Sequence, residues 1–129
     1  SSDLAYLPLL EDAGFTLDSS DGKHKQAWWV GPKAPPTKLT RVPASTTSSV
    51  LRLPRFLRDR FLLSLKSPVV LFVHPWEFVD LTGEKLRYDC RFRTGEPALA
   101  DLDAVIRLFK GRGARFRRMC DLAPAAVAA

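Results

Sequence analysis

Histidine, cysteine and methionine are scarce in this 129-residue sequence, and their scarcity limits its metal and redox chemistry. There are two histidines, two cysteines and one methionine. Cys90 and Cys120 lack the C-x-x-C spacing of zinc and redox sites, and no H-E-x-x-H motif is present. A self-contained zinc site is therefore not expected. The two cysteines are expected to be free thiols, unless the fold brings their Cα atoms within about 7 Å.

Several other motifs are missing as well. No apolar run approaches the roughly 18 residues that a membrane span requires. The sequence has no G-x-S-x-G nucleophile elbow, and Gly111-Arg112-Gly113 follows a predicted helix instead of opening one, unlike a phosphate-binding loop. The first residues contain no basic segment leading into an apolar run, so no signal peptide is expected in this stretch.

The charge balance is basic, with a net charge of +6 that comes mostly from arginine. An acidic partner such as nucleic acid, an anionic cell-wall polymer or a membrane surface is possible in principle. Eight of the arginines form two separate groups, within 52–60 and 112–118, and no aromatic-rich motif of the RRM type accompanies them. Solvated faces are therefore favoured over a nucleic-acid interface.

The remaining composition is that of a soluble globular protein, with 46% hydrophobic and 26% charged residues. Periodicity predicts three helices, over residues 3–14, 54–66 and 97–110. It predicts five strands, over residues 15–17, 27–30, 37–43, 69–73 and 114–119. Alternating strands and helices indicate an α/β fold with parallel pairing. We expect one domain portion over residues 1–122, followed by a flexible tail over 123–129.

Two of these elements carry expectations about burial. In the helix over 54–66, Phe56, Leu57, Phe61 and Leu65 are expected to form the buried side, with Arg58 facing water. The strand Val69-Val70-Leu71-Phe72-Val73 is a continuous β-branched and aromatic run, which is typical of a strand buried on both faces of a parallel sheet. Residues 79–96 are expected to be a loop, with a turn at Thr82-Gly83.

His74 follows this predicted strand directly, where parallel α/β folds collect their active sites. Trp76 can remove water from the imidazole, and a nearby carboxylate can hold its proton, which suits a general acid or base. The alternative is a histidine that bonds a backbone carbonyl. Glu77 is interpreted as a capping or loop-bracing carboxylate in preference to a catalytic one. The other histidine, His24, lies between lysines and is expected at the surface.

Three segments together resemble a known family. The first, Leu7-Pro8-Leu9-Leu10-Glu11-Asp12-Ala13-Gly14-Phe15-Thr16-Leu17-Asp18-Ser19-Ser20, resembles the helix and strand after the third motif of polysaccharide deacetylases of the NodB-homology type. Leu71-Phe72-Val73-His74-Pro75-Trp76-Glu77 resembles the fifth motif in its HPWE form. Arg93-Thr94-Gly95-Glu96-Pro97 through Phe116 resembles the closing helix and strand. The similarity covers most of residues 3–122, in the right order.

The resemblance implies the C-terminal part of a distorted (β/α) barrel. It implies hydrolysis of N- or O-acetyl groups on a sugar polymer, with a divalent metal such as zinc in the complete domain. His74 would be the general acid that protonates the leaving group, and Leu71 and Trp76 would wall the pocket for the acetyl methyl. Relatives often act at the cell envelope, which favours an envelope or extracellular location, with the cytoplasm as the alternative.

The family's metal-binding and catalytic-base motifs do not occur in this sequence. The resemblance therefore implies no metal bound by this chain alone. An N-terminal half or a second chain would complete the barrel and bring the metal ligands to an acetylated polysaccharide. The alternative is a non-catalytic carbohydrate- or protein-binding module derived from the same fold.

Overall fold

The chain divides into two compact units. The computed structural model describes residues 6–20, 22 and 36–122. One unit comprises residues 1–46 together with 116–129, and the other comprises residues 47–115. The predicted strand over 27–30 and the predicted tail lie outside the described residues. The division does not test whether residues 1–122 belong to one larger domain, which stays a prediction.

The first unit opens with a short helix. Helix α1 spans Leu7–Asp12, with Pro8 in its first turn and Leu7 buried. Proline is tolerated there because the first amides of a helix have no intrahelical partner. Gly14 follows with φ of 85°, the left-handed conformation that ends many helices. The predicted helix is thus confirmed within the described residues.

A minimal parallel sheet follows α1. Strand β1 spans Leu17–Asp18 and strand β2 spans Thr40–Arg41, with Leu17 opposite Thr40. Strand β1 overlaps the end of the predicted segment 15–17, and β2 lies within the predicted segment 37–43 but is much shorter than it. Each is two residues long, so the pair is too small to test a barrel, and the α/β barrel class stays a prediction.

Asp18 of β1 stabilises this sheet through an ion pair with Arg41 of β2. Its side chain is buried and accepts hydrogen bonds from the Ser20 hydroxyl at 2.6 Å and from the Ser20 backbone N–H at 3.1 Å. Arg41 donates from Nε to the other carboxylate oxygen at 3.1 Å. Burial alone would raise the pKa of Asp18, but these hydrogen bonds and the charge of Arg41 lower it below its usual value.

The second unit is built around three buried side chains. Leu51 comes from the 3-10 helix Ser48–Arg52, Leu62 from helix α2 (Arg55–Ser64), and Val105 from helix α4 (Glu96–Gly111). Helix α3 is a single turn over Tyr88–Arg91, inside the segment predicted as a loop. The backbone N–H of Glu84 donates to the carbonyl of Leu81, which confirms the predicted turn at 82–83.

Helix α4 matches its prediction closely. The predicted helix over 97–110 lies within Glu96–Gly111, and Pro97 occupies its first turn. Ala98 and Val105, seven residues apart, are buried on one side of the helix. The helix is long and strongly periodic, so local sequence is enough to specify it.

Helix α2 is present as predicted, but the prediction of its buried side was wrong for Phe56, Leu57 and Phe61, whereas Leu65 packs against the core as expected. Arg58 is only 2% exposed, whereas Phe56 is 73% exposed. Arg58 donates from Nε to Asp59 at 2.9 Å and from Nη1 to Asp101 of α4 at 3.2 Å. Asp101 is also bound by Arg93 at 2.8 Å. A buried guanidinium with two carboxylate partners is compensated, and the arginine therefore takes the inner position.

Two predicted strands are not strands among the described residues. Over 69–73, Leu71 and Val73 pack on the core while Phe72 is 37% exposed, so one face is buried instead of both. Residues 114–118 are exposed and irregular, and a 3-10 helix follows over Met119–Leu122. Buried and exposed side chains thus alternate over 71–73 as in a strand, but these residues do not pair with another described strand.

Cys90 and Cys120 are both free thiols, as expected. Within residues 6–20, 22 and 36–122, no helix has the length and apolar character needed to cross a bilayer.

Candidate functional site

The HPWE segment forms a single tight turn. His74 precedes a 3-10 helix over Pro75–Phe78, and Pro75 opens that helix. The backbone N–H of Glu77 donates to the carbonyl of His74 at 3.0 Å. In return, the Glu77 carboxylate accepts from the backbone N–H of His74 at 3.3 Å. These two reciprocal hydrogen bonds fix the backbone conformation at His74 and therefore the direction of its Cα–Cβ bond.

Glu77 is turned into the protein. Its residue exposure is 3%, and its carboxylate forms an ion pair with Arg52 at 3.2 Å. Arg52 also donates from Nη1 to the carbonyl of Asp89 at 2.6 Å, which links the turn to helix α3. The carboxylate is therefore engaged by Arg52 and by the main chain of His74, which is the geometry of a bracing group.

His74 and Trp76 lie on the exposed side of the same turn. Their rings are stacked at 5.6 Å between centroids with 12° between planes, and Phe72 meets the imidazole edge-on at 5.4 Å. Trp76 is 40% exposed and His74 is exposed as well. The guanidinium of Arg52 lies 5.7 Å from the Trp76 ring centroid, within cation–π distance. We call Phe72, His74 and Trp76 the aromatic face.

This geometry differs from the burial expected for His74. The imidazole is exposed to solvent, stacked on Trp76 and not enclosed by it. Glu77 reaches the backbone N–H of His74, not a ring nitrogen, in its hydrogen bond to that residue. An exposed imidazole can exchange protons with water and with a bound ligand, which a general acid requires.

The two residues predicted to wall a pocket point in different directions. Leu71 is half-buried and packs on the core cluster of the second unit. Trp76 belongs to the aromatic face, two residues beyond His74. Leu71 can therefore support the segment from beneath, while Trp76 is available to a ligand.

Sequence reasoning missed the residues that hold the turn from outside. Gly95 donates its backbone N–H to the carbonyl of Glu77 at 2.9 Å. Its φ is 70°, and a Cβ there would lie 3.2 Å from the backbone of Asp80. Thr94, 1% exposed, accepts from the backbone N–H of Leu81 at 3.0 Å. The glycine before Glu96-Pro97 is the only local signal of this support.

A metal site does not emerge from these residues. Within the described ranges, no group of three or more histidine, cysteine, aspartate or glutamate side chains is placed to hold a metal ion. His74 has aromatic neighbours, and Glu77 is committed to Arg52. The described part of the chain therefore does not fit the metal that the deacetylase resemblance implies.

Comparisons with protein-family models, with curated proteins and with solved structures found no match to this chain.

Proposed function

We propose that this chain is part of a polysaccharide deacetylase and supplies the histidine that protonates the leaving group. The observation that carries the proposal is the HPWE turn itself. In this turn the Glu77 carboxylate is buried and paired with Arg52, and the exposed imidazole of His74 stacks on the exposed indole of Trp76. The fold proposed with it is the C-terminal part of a distorted (β/α) barrel. An N-terminal half or a second chain completes that barrel and carries whatever metal the reaction uses.

The role proposed for His74 is proton donation. Hydrolysis of an N-acetyl group adds water to the carbonyl carbon and breaks the carbon–nitrogen bond, which releases acetate and a free amine. The departing nitrogen is strongly basic and needs a proton as the bond breaks. The imidazolium of His74 donates that proton and recovers it from solvent. Its exposed position permits both steps.

The substrate class proposed is an acetylated sugar polymer. The aromatic face offers flat apolar surfaces with a cation beside them, and such rings stack on the apolar faces of pyranose sugars. Trp76 is the residue most available for this contact. Leu71 supports the segment from the core side and fixes its position.

The experiment is acetate release from acetylated chitin oligomers by the protein together with its native partner chain. His74→Gln is expected to lower kcat by about a hundredfold or more, with KM and assembly unchanged, because only proton donation is lost. His24→Gln, which alters the other histidine, is the matched control and is expected to keep full turnover. Retained turnover in His74→Gln would rule out the proposed role.

The second candidate is a non-catalytic carbohydrate-binding module, which the exposed aromatic face also favours. In that case the isolated chain binds the oligosaccharide, and no partner confers acetate release. Quenching of tryptophan fluorescence by chitin oligomers measures the binding, and Trp76→Ala is expected to abolish the quenching attributable to this site. Binding without any acetate release in the native assembly would select this candidate over the first.

A further inference from the structure

Helix α2 carries an apolar surface on its outer side. Five side chains form it, and each is between 38% and 73% exposed. They are Leu53, Phe56, Leu57, Phe61 and Leu63. Leu57 and Phe61, four residues apart, lie in one row along the helix, and Leu53 precedes the helix in extended conformation. Phe56 and Leu63, seven apart, form a second row. We call these five residues the outer face.

The inner side of the same helix is already occupied. Leu62 is fully buried in the core cluster, and Arg58 is held by Asp59 and Asp101. The core side of the helix is therefore already filled, and the outer face lies on the opposite side. This helix buries an arginine and exposes two phenylalanines, which is the opposite of the usual arrangement in water. An exposed apolar surface of this kind indicates contact with an apolar partner.

The unpaired charges near the outer face are positive. Arg60 lies between its two rows, since it is four residues from Phe56 and three from Leu57 and Leu63. Arg60 and Lys66 are exposed and form no ion pair with the described residues. Asp59 is the only acidic residue in 53–66, and both Arg58 and Arg55 bind it. The face thus offers free cations and no free carboxylate.

A second copy of the chain is a poor occupant. Each copy has a net charge of +6, and two outer faces packed together would bring Arg60 of one near basic residues of the other. The complementary surface is anionic and apolar at once. A bilayer interface with acidic lipids provides both, because acyl chains receive the apolar side chains and phosphates receive the cations. Long basic side chains reach the headgroups while their stems stay in apolar surroundings.

We infer that the outer face of α2 binds an anionic lipid surface peripherally, with Phe56 and Leu57 inserted at the interface and Arg60 against lipid phosphates. This docking is independent of the proposed deacetylase role, because it uses no residue of the aromatic face. It would hold the protein on a membrane surface without any spanning segment.

The test is flotation of the purified full chain with phosphatidylcholine vesicles, with and without phosphatidylglycerol. Binding is expected only to the vesicles containing phosphatidylglycerol and is expected to fall with added salt. Phe56→Ser and Leu57→Ser are each expected to lower the partition coefficient by about tenfold. Arg60→Gln is expected to lower it by about fivefold. Leu99→Ser and Lys110→Gln, at exposed positions of α4, are the controls and should bind as the wild type does.

Three outcomes would overturn the inference. The first is no binding to anionic vesicles by a chain whose circular dichroism shows it folded. The second is equal binding by the Phe56 and Leu57 variants. The third is a dimer in light scattering that Phe56→Ser dissociates, which would assign the face to a second copy. Loss of vesicle binding leaves acetate release untouched, so failure here is distinguishable from failure of the proposed function.

Discussion

At the level of single side chains, Glu77 determines how the HPWE turn presents its histidine. The carboxylate joins the backbone of His74 to Arg52, which in turn bonds the carbonyl of Asp89. A buried carboxylate is stable only when it is paired and hydrogen-bonded, and Glu77 has both kinds of partner. His74 is thereby left free for chemistry while its backbone is held fixed.

The first prediction concerns the stability that Glu77 provides. Glu77→Ala is expected to lower the free energy of unfolding by about 3 kcal/mol, because it leaves the largely buried Arg52 without its carboxylate. Glu77→Gln keeps an acceptor for the His74 N–H and is expected to lose less. Urea denaturation measures both, and Glu84→Ala, at an exposed position, serves as the control. A loss in Glu77→Ala no larger than the control's would refute the bracing role.

The second prediction concerns Asp18 and pH. The pKa of Asp18 in the folded chain lies below the ordinary value of 3.8, so the folded state binds this proton less readily than the unfolded state. Its contribution to stability is therefore full above the unfolded pKa and is lost as the pH falls through the folded pKa. Asp18→Asn removes that dependence. The free energies of unfolding of the two forms in urea should differ most near neutral pH and should begin to converge as the pH falls below about 4.

A control separates this effect from general acid sensitivity. Asp12→Asn alters an exposed carboxylate in the same unit and is expected to leave the wild-type pH profile nearly unchanged. A difference between wild type and Asp18→Asn that stayed constant down to strongly acidic pH would contradict the lowered pKa.

At the level of elements, the helices followed from the sequence better than the strands did. Helix α4 is specified by its own periodicity and by Pro97 in its first turn. Helix α2 was located correctly, but its inner side depends on Asp101, which is 43 residues from Arg58. No local pattern contains that partner. Propensity alone could not place residues 69–73 in a sheet either, because a strand needs a neighbouring strand.

In the candidate site too, contacts between neighbouring residues could be predicted, and contacts between distant residues could not. The bracing interpretation of Glu77 came from neighbouring residues, because a 3-10 turn closes over three positions. The contribution of Arg52 could not be predicted, since it lies 25 residues before Glu77. The exposure of His74 was also not predictable, because it depends on which face of residues 71–73 meets the core.

The third prediction concerns Gly95, which precedes helix α4 and donates its backbone N–H to the carbonyl of Glu77. Gly95→Ala is expected to destabilise the protein by about 2–3 kcal/mol, because it combines a positive φ with a Cβ 3.2 Å from the backbone of Asp80. Gly113→Ala is the matched control, with φ of 76° and nothing within 4 Å of the added carbon. It is expected to cost about 1 kcal/mol. Thermal or urea unfolding that ranked the two variants equally would contradict the close packing at Gly95.

At the level of the whole molecule, one core and two exposed faces are distinguished. The core of the second unit joins the 3-10 helix Ser48–Arg52 to α2 and α4. The aromatic face is proposed to present His74 and Trp76 to an acetylated sugar. The outer face of α2 is proposed to meet an anionic membrane. A protein that acts on an envelope polymer and rests on a membrane would combine the last two, and each is tested without the other.

The most direct test of the central claim is acetate release from acetylated chitin oligomers, measured side by side for the isolated chain and for its native assembly. The proposal predicts no release by the isolated chain, because its described residues hold no metal site. It predicts release by the assembly, abolished by a chelator and restored by a divalent metal. An intact assembly that binds the oligomers and releases no acetate at any metal concentration would contradict it and assign the chain to carbohydrate binding alone.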